Sequence, residues 1–305
     1  MKAAKVIATC FKAKEVIEKT RLTGDPLGFF YHSQNFTNTN DIINLLKLHI
    51  DLENKFNPGC DRDLIIVNAD IGSIEGNKFI EEINNNRINN GKIISYTREN
   101  YGLSFGSYND AFLKFEKNYD YFLFTEDDWL ILNDNYFKIG IDVLNSNPNN
   151  GMVPYVAKTK IHRSHWKELD LNKINAIGCH GAIGLLSKKM LKMIVNKCGC
   201  IPHHKGLNYH QSVVNGELKF PNSIVKLGFE IVDLPENIIL GMPAYDYMRN
   251  IKYKKFPNLL ETLNYYLQIN LIIPLKKNIW KIVSISNITK ELYLSTLSYL
   301  RKIFK

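Results

Sequence analysis

The stretch Tyr119-Asp120-Tyr121-Phe122-Leu123-Phe124-Thr125-Glu126-Asp127-Asp128-Trp129 drives an apolar, β-favouring run straight into three consecutive carboxylates. The run itself reads as a buried strand. Adjacent carboxylates repel one another, so at the mouth of a strand they need a cation, a hydrogen-bonding ligand or open water. A divalent metal carrying a diphosphate satisfies them well, because hard cations take oxygen ligands and Mg2+ combines one or two carboxylates with substrate phosphates. A solvated acidic turn is the alternative, and the flanking sequence decides between the two. Of the three acids, Asp128 is the expected direct metal ligand, since the last acidic position can point over the sheet edge.

Upstream the chain reads Arg98-Glu99-Asn100-Tyr101-Gly102-Leu103-Ser104-Phe105-Gly106-Ser107-Tyr108-Asn109-Asp110-Ala111-Phe112. Taken with the acidic triplet, this stretch resembles the GT-A nucleotide-sugar glycosyltransferases. Their donor half often carries Asn-x-Gly, a small-residue turn and an Asn at the start of a helix leading to the metal strand. The corresponding places are Asn100, Gly102, Gly106 and Asn109, and Glu126-Asp127-Asp128 resembles the Glu-Asp-Asp form of the family's Asp-x-Asp motif. The resemblance spans roughly residues 1–240 and is strongest over 63–132.

The resemblance implies an α/β fold with a GT-A-like (Rossmann-like), mainly parallel central sheet flanked by helices. It implies Mn2+ or Mg2+ as cofactor, a nucleotide-diphosphate sugar as donor and a glycan or glycolipid as acceptor. Asp128 would hold the metal, while Glu126 and Asp127 would meet ribose, sugar hydroxyls or metal-bound water. Asp70 falls where such enzymes often set an acid against the base or ribose, although Asp70-Ile71-Gly72-Ser73 equally suits an Asx turn. Arg98 suits a phosphate or the acidic triplet through its fixed fork, or a plain surface place. Asn109 belongs with the donor site or holds its loop by side-chain to backbone bonds. An inverting transfer also needs a carboxylate base. Glu217 matches the family's late acidic residue, though a helix start attracts Glu for electrostatic reasons alone. His180 either lines the acceptor site or is simply packed.

Outward from these motifs, strands alternate with helices. Strands are expected over 5–10, 64–67, 92–96 and 152–157, with 28–33 competing for the first place. A helix over 41–52 sets Ile42, Leu45, Leu46 and His49 on one face. Ser104 is expected to cap a helix running to about 117, with Tyr108, Ala111, Phe112 and Phe115 inward. A polar loop over 158–175 and a helix capped by Ser187 follow, then a segment opened by Glu217 and a strand over 229–234. Such alternation implies a mainly parallel sheet, whose ligands bind beyond the carboxyl ends of the strands. Asp70, Arg98 and the acidic triplet all follow strands in that way.

At 305 residues and 45% hydrophobic composition, the chain supports one large domain, residues 1–245, with a basic helical extension over 246–305. No apolar run approaches the roughly 18 residues of a membrane span, and no secretory signal is apparent. Five cysteines argue against a disulfide framework and fit a reducing, cytoplasmic compartment. Cys198 and Cys200, with His203, His204 and His210 after them, are spaced too tightly for the usual zinc pair. A formal charge of +9 points to an anionic partner. The tail interleaves Lys and Arg with Tyr, Trp and Phe, which suits the cytoplasmic face of an anionic membrane or a helical subdomain with a basic face; no nucleic-acid partner is expected. The rival readings are a nucleotidyltransferase on a similar fold and a non-catalytic basic binding module. Val6-Ile7-Ala8-Thr9-Cys10-Phe11-Lys12 lacks the Gly-rich basic loop of the first.

Overall fold

The computed structural model describes residues 1–11, 39–156, 159–160, 177–179, 182–205, 211, 213–235, 238 and 240–244. The competing first strand over 28–33, His180 and His210, most of the 158–175 loop and the extension over 246–305 lie outside the described residues.

Four parallel strands form the centre. β1 (Lys2–Thr9) pairs with β2 (Asp61–Asp70) on one side and β5 (Tyr121–Glu126) on the other, and β4 (Gly91–Glu99) continues beyond β2. On the β5 side, β10 (Gly184–Ser187) runs antiparallel to both β5 and β7 (Asn150–Pro154), and β11 (Glu230–Ile231) closes that edge. β3 (Arg87–Ile88) closes the other, giving the order β11-β7-β10-β5-β1-β2-β4-β3. Two short pairs lie outside this sheet: β6 (Trp129–Ile131) with β12 (Gly241–Pro243), and β8 (Thr159–Lys160) with β9 (Ile177–Gly178).

Helices cover both faces, so β1, β2 and β5 are buried on both sides and read as near-continuous apolar runs, whereas β4 alternates. Ala4, Val6 and Ala8 of β1 face the layer built by α3 (Leu103–Phe115), α5 (Lys188–Cys198) and α6 (Phe220–Lys226). Ile7 packs with Leu64 and Ile66 against α1 (Thr39–Lys55) and α2 (Ile74–Ile83). Ala3 and Leu123 meet α4 (Tyr136–Asn145). Alternation along the strand thus assigns each face its helices.

Lys5 breaks the apolar pattern of β1. Its ammonium lies 2.7 Å from Glu53 of α1, which also takes Arg62 of β2 at 2.5 Å and the Tyr136 hydroxyl of α4 at 2.6 Å. All four side chains are at most 2% exposed. This buried network ties α1 to two strands and a neighbouring helix.

The chain builds β1, β2 and β4 outward on one side, then returns through α3 to place β5 on the other side of β1. The order reverses between β1 and β5, and open α/β sheets bind ligands in the crevice at such a reversal. Thr9 and Cys10 lie at that edge from β1, and Glu126 and Asp127 from β5. Among the described residues, no helix is long and apolar enough to cross a membrane.

Candidate active site

The acidic triplet occupies the β5–β6 turn, and four elements hold it. The Asp127 N–H donates to the Ala8 carbonyl (3.1 Å), and the Thr9 hydroxyl donates to Asp127 Oδ2 (2.7 Å). The Asp127 carbonyl meets His49 Nε2 of α1 at 2.7 Å. Glu126 Oε1 accepts from the Ser104 hydroxyl of α3 at 2.5 Å, and the Asp128 carbonyl accepts from the Ala244 N–H beyond β12 at 2.7 Å. All three acids are half-buried. The two hydroxyls thus fix the direction of one carboxylate oxygen each on Asp127 and Glu126.

Ser104 is not the expected helix cap. The cap position belongs to Gly102, in the left-handed region at φ +69°, and Leu103 follows at +49°. A positive φ is costly for a branched side chain, and Arg98 over-determines it. The Arg98 guanidinium donates to the carbonyls of Glu99 (2.6 Å), Tyr101 (2.8 Å) and Leu103 (2.9 Å) and to the Ser107 hydroxyl (3.1 Å), and it lies over the Tyr101 ring. These contacts give Arg98 a loop-building place; the surface placement considered from the sequence does not hold, since it is 8% exposed. Gly106 is as constrained: a Cβ there would stand 2.0 Å from the Tyr101 carbonyl oxygen. The resulting loop delivers Ser104 to Glu126.

Glu217 does not open a helix. It lies within a π-helical segment, Val213–Lys219, that runs on into α6. Pro221 has no N–H to give the Glu217 carbonyl an i, i+4 bond, and the Cys179 N–H donates there instead (3.0 Å). Gly216 seats this segment on α3, where a Cβ would lie 2.1 Å from the Phe105 ring. Single π turns inside helices recur at functional sites.

Tyr108 of α3 packs against the strand that ends in the acidic turn. It is fully buried, stacked on Phe124 of β5 at 4.6 Å and edge-on to Phe105. Burial, followed by the charges of Glu126, Asp128, Asp127 and Glu217, pushes its phenol well above the ordinary value. The sequence reading treated Tyr108 only as a core position and did not single out Thr9; the 2.0-residue alternation that aims Thr9 away from Ala8 is the sole local sign of it.

Other sequence candidates have hydrogen bonds of their own. Asp70 forms the Asx turn, with Oδ1 accepting from the Gly72 N–H (2.8 Å) and from Asn77 (3.2 Å). Asn109, 6% exposed, accepts the Ile201 N–H at 2.9 Å and so fastens the segment after α5 to α3. That segment lays His203 beside Tyr101 and Gly102. None of the five cysteines, all among the described residues, forms a disulfide.

Among the described residues, no three His, Cys, Asp or Glu side chains converge to enclose a metal ion by themselves. The acidic turn instead offers hard carboxylate oxygens at an open strand end. That donor set fits Mg2+ or Mn2+, whose remaining ligands come from phosphates and water.

No family model and no curated protein matches the sequence. Distantly similar solved structures include the galactosyltransferase LgtC in complex with donor and acceptor sugar analogues, 10% identical over 76% of this chain and 73% of that one, with a TM-score of 0.39. Mouse xyloside xylosyltransferase 1 is 9% identical over 76% of this chain and 86% of that one, at 0.39. A cytidylyltransferase from Leptospira borgpetersenii serovar Hardjo-bovis is 12% identical over 91% and 93%, at 0.42. Likenesses this distant carry no argument about activity.

Proposed function

We propose that the chain is a metal-dependent glycosyltransferase that moves a sugar from a nucleotide-diphosphate donor to a hydroxyl of a glycan or glycolipid. The observation that carries this reading is the acidic turn at the β1–β5 reversal, with the segment that carries Glu217 seated on Phe105 of α3 beside Tyr108. Asp128, helped by its two neighbours, is the proposed holder of Mg2+ or Mn2+. When bound, the cation balances the charge of the departing nucleotide diphosphate.

The chain's own residues have distinct tasks in this reading. Thr9 and Ser104 keep Asp127 and Glu126 aimed as hydrogen-bond acceptors for ribose or sugar hydroxyls. Glu217 takes the proton from the attacking acceptor hydroxyl, which raises that oxygen's nucleophilicity as it closes on the sugar. Tyr108, fully buried against Phe124 and Phe105, packs behind the strand that ends in the acidic turn. Arg98 and Asn109 support the loop rather than touch the donor. The composition, rich in Asn, Lys and Ile, and the basic tail favour a role in capsule or lipooligosaccharide synthesis at the cytoplasmic face of a membrane.

A thermal-shift screen of UDP-, GDP-, dTDP- and ADP-sugars with and without Mn2+ tests the reading, because a ligand of the folded state stabilises it by mass action. Stabilisation by at least one nucleotide sugar, larger with Mn2+, is the expected result. No shift with any of them, alongside retained binding to polyanions, would favour the basic binding module.

A further inference from the structure

His49 lies on the inward face of α1 with Ile42, Leu45, Leu46 and Leu52, a place where an apolar side chain would pack. It is 1% exposed. Its Nε2 is 2.7 Å from the Asp127 carbonyl oxygen, which can only accept, so Nε2 carries the proton. Nδ1 is then a bare acceptor, and it is buried without a partner. Leaving such a group unsatisfied costs stability. One hydrogen bond, to the middle residue of the acidic turn, is all the ring gains for its desolvation.

We propose that His49 is a positioning residue for the acidic turn: through its bond to the Asp127 carbonyl, it fixes the direction in which Glu126, Asp127 and Asp128 present their carboxylates. The inference rests on the transferase reading for its consequence, although the bond itself does not. β1 holds the peptide before Asp127 through the Ala8 carbonyl and its side chain through Thr9, while His49 holds the peptide after it, so both planes that flank Asp127 are restrained. Rotation would swing the neighbouring Asp128 and Glu126 off their aim. The Glu53 network anchors the same helix one turn further on, which keeps His49 at a fixed height beneath the turn.

The test compares His49→Leu with His49→Gln, whose amide N–H reaches about as far as His Nε2. Amide hydrogen exchange over residues 126–130 of the full chain reports the turn directly. Binding of Mn2+ with UDP, GDP or ADP reports its consequence. In His49→Leu, exchange at Asp127 should quicken by about tenfold or more, and Mn2+-dependent nucleotide affinity should fall by a similar factor. Thermal stability should stay near wild type, because the orphaned Nδ1 leaves as the Asp127 carbonyl loses its donor. His49→Gln should restore both. Wild-type exchange in His49→Leu, or equal loss in both variants, overturns the proposal; so does failure of both His49→Leu and His49→Met to fold, which would make the ring a core element. If the intact protein binds no nucleotide at all, the transferase reading fails while exchange at Asp127 still decides the role of His49.

Discussion

Replacing Glu53 with Gln should destabilise the whole domain through one side chain that never meets solvent. Glu53 is 2% exposed and holds Lys5 at 2.7 Å, Arg62 at 2.5 Å and the Tyr136 hydroxyl at 2.6 Å. The neutral amide strands two buried cations, and breaking a buried pair in this way costs about 3–5 kcal/mol. Linkage gives a similar figure independently. Burial alone would raise the Glu53 carboxyl, but Lys5 and Arg62 outweigh it and hold it at about 2 against an ordinary 4.5, which is worth about 3 kcal/mol. For a domain of this size that is a fall in Tm of roughly 6–20 °C at pH 7. The sign with pH also follows. A depressed carboxyl stabilises fully above its unfolded pKa and loses that contribution as pH falls toward its folded one. The gap between wild type and Glu53→Gln should therefore be constant from pH 5 to 7 and close between about pH 4.5 and 2. Thermal melts of both proteins across that range read it. A gap under about 2 °C at pH 7, or one that does not narrow in acid, would refute the reasoning.

Glu217→Gln should lower turnover by about 100-fold or more with donor affinity little changed, and NMR of the product should show inversion at the anomeric carbon; a retained configuration would remove the need for this base. Arg98→Lys cannot reproduce the fork that reaches three carbonyls and a hydroxyl, so it should cost about 2 kcal/mol or more of stability and weaken donor binding; chemical denaturation and titration calorimetry check both. The intact chain should sediment with anionic vesicles at low salt and be released as salt screens the basic tail; absence of binding at low salt would make residues 246–305 a subdomain with another role.

What the sequence made legible was set by burial on both faces. β1, β2 and β5 appeared as apolar runs because helices cover the sheet above and below, β4 through the short run Ile93-Ile94, and α1 and α5 through their periodic inward faces. β10 did not, because Gly184-Leu185-Leu186-Ser187 carries no alternation and takes its reversed direction from Phe122–Phe124 and Val153 beside it. The start of α3 was misplaced because Arg98, rather than a local cap, holds Gly102 and Leu103 in their left-handed turn. Of the site, the acidic triplet and Glu217 were visible as sequence features. Thr9 and His49 were not, since their partner Asp127 lies 118 and 78 residues away and only the strand order brings them together.

The central claim is that the acidic turn binds a nucleotide sugar through a divalent cation at Asp128. Titration calorimetry of the nucleotide sugar found by the screen, with Mn2+ and with chelator, on wild type and Asp128→Asn, tests it most directly. Chelator and Asp128→Asn should each weaken the affinity by about tenfold or more, with Tm in the variant within about 2 °C because a half-exposed turn carries little stability. Affinity that is indifferent to Mn2+, or unchanged in Asp128→Asn, would contradict it.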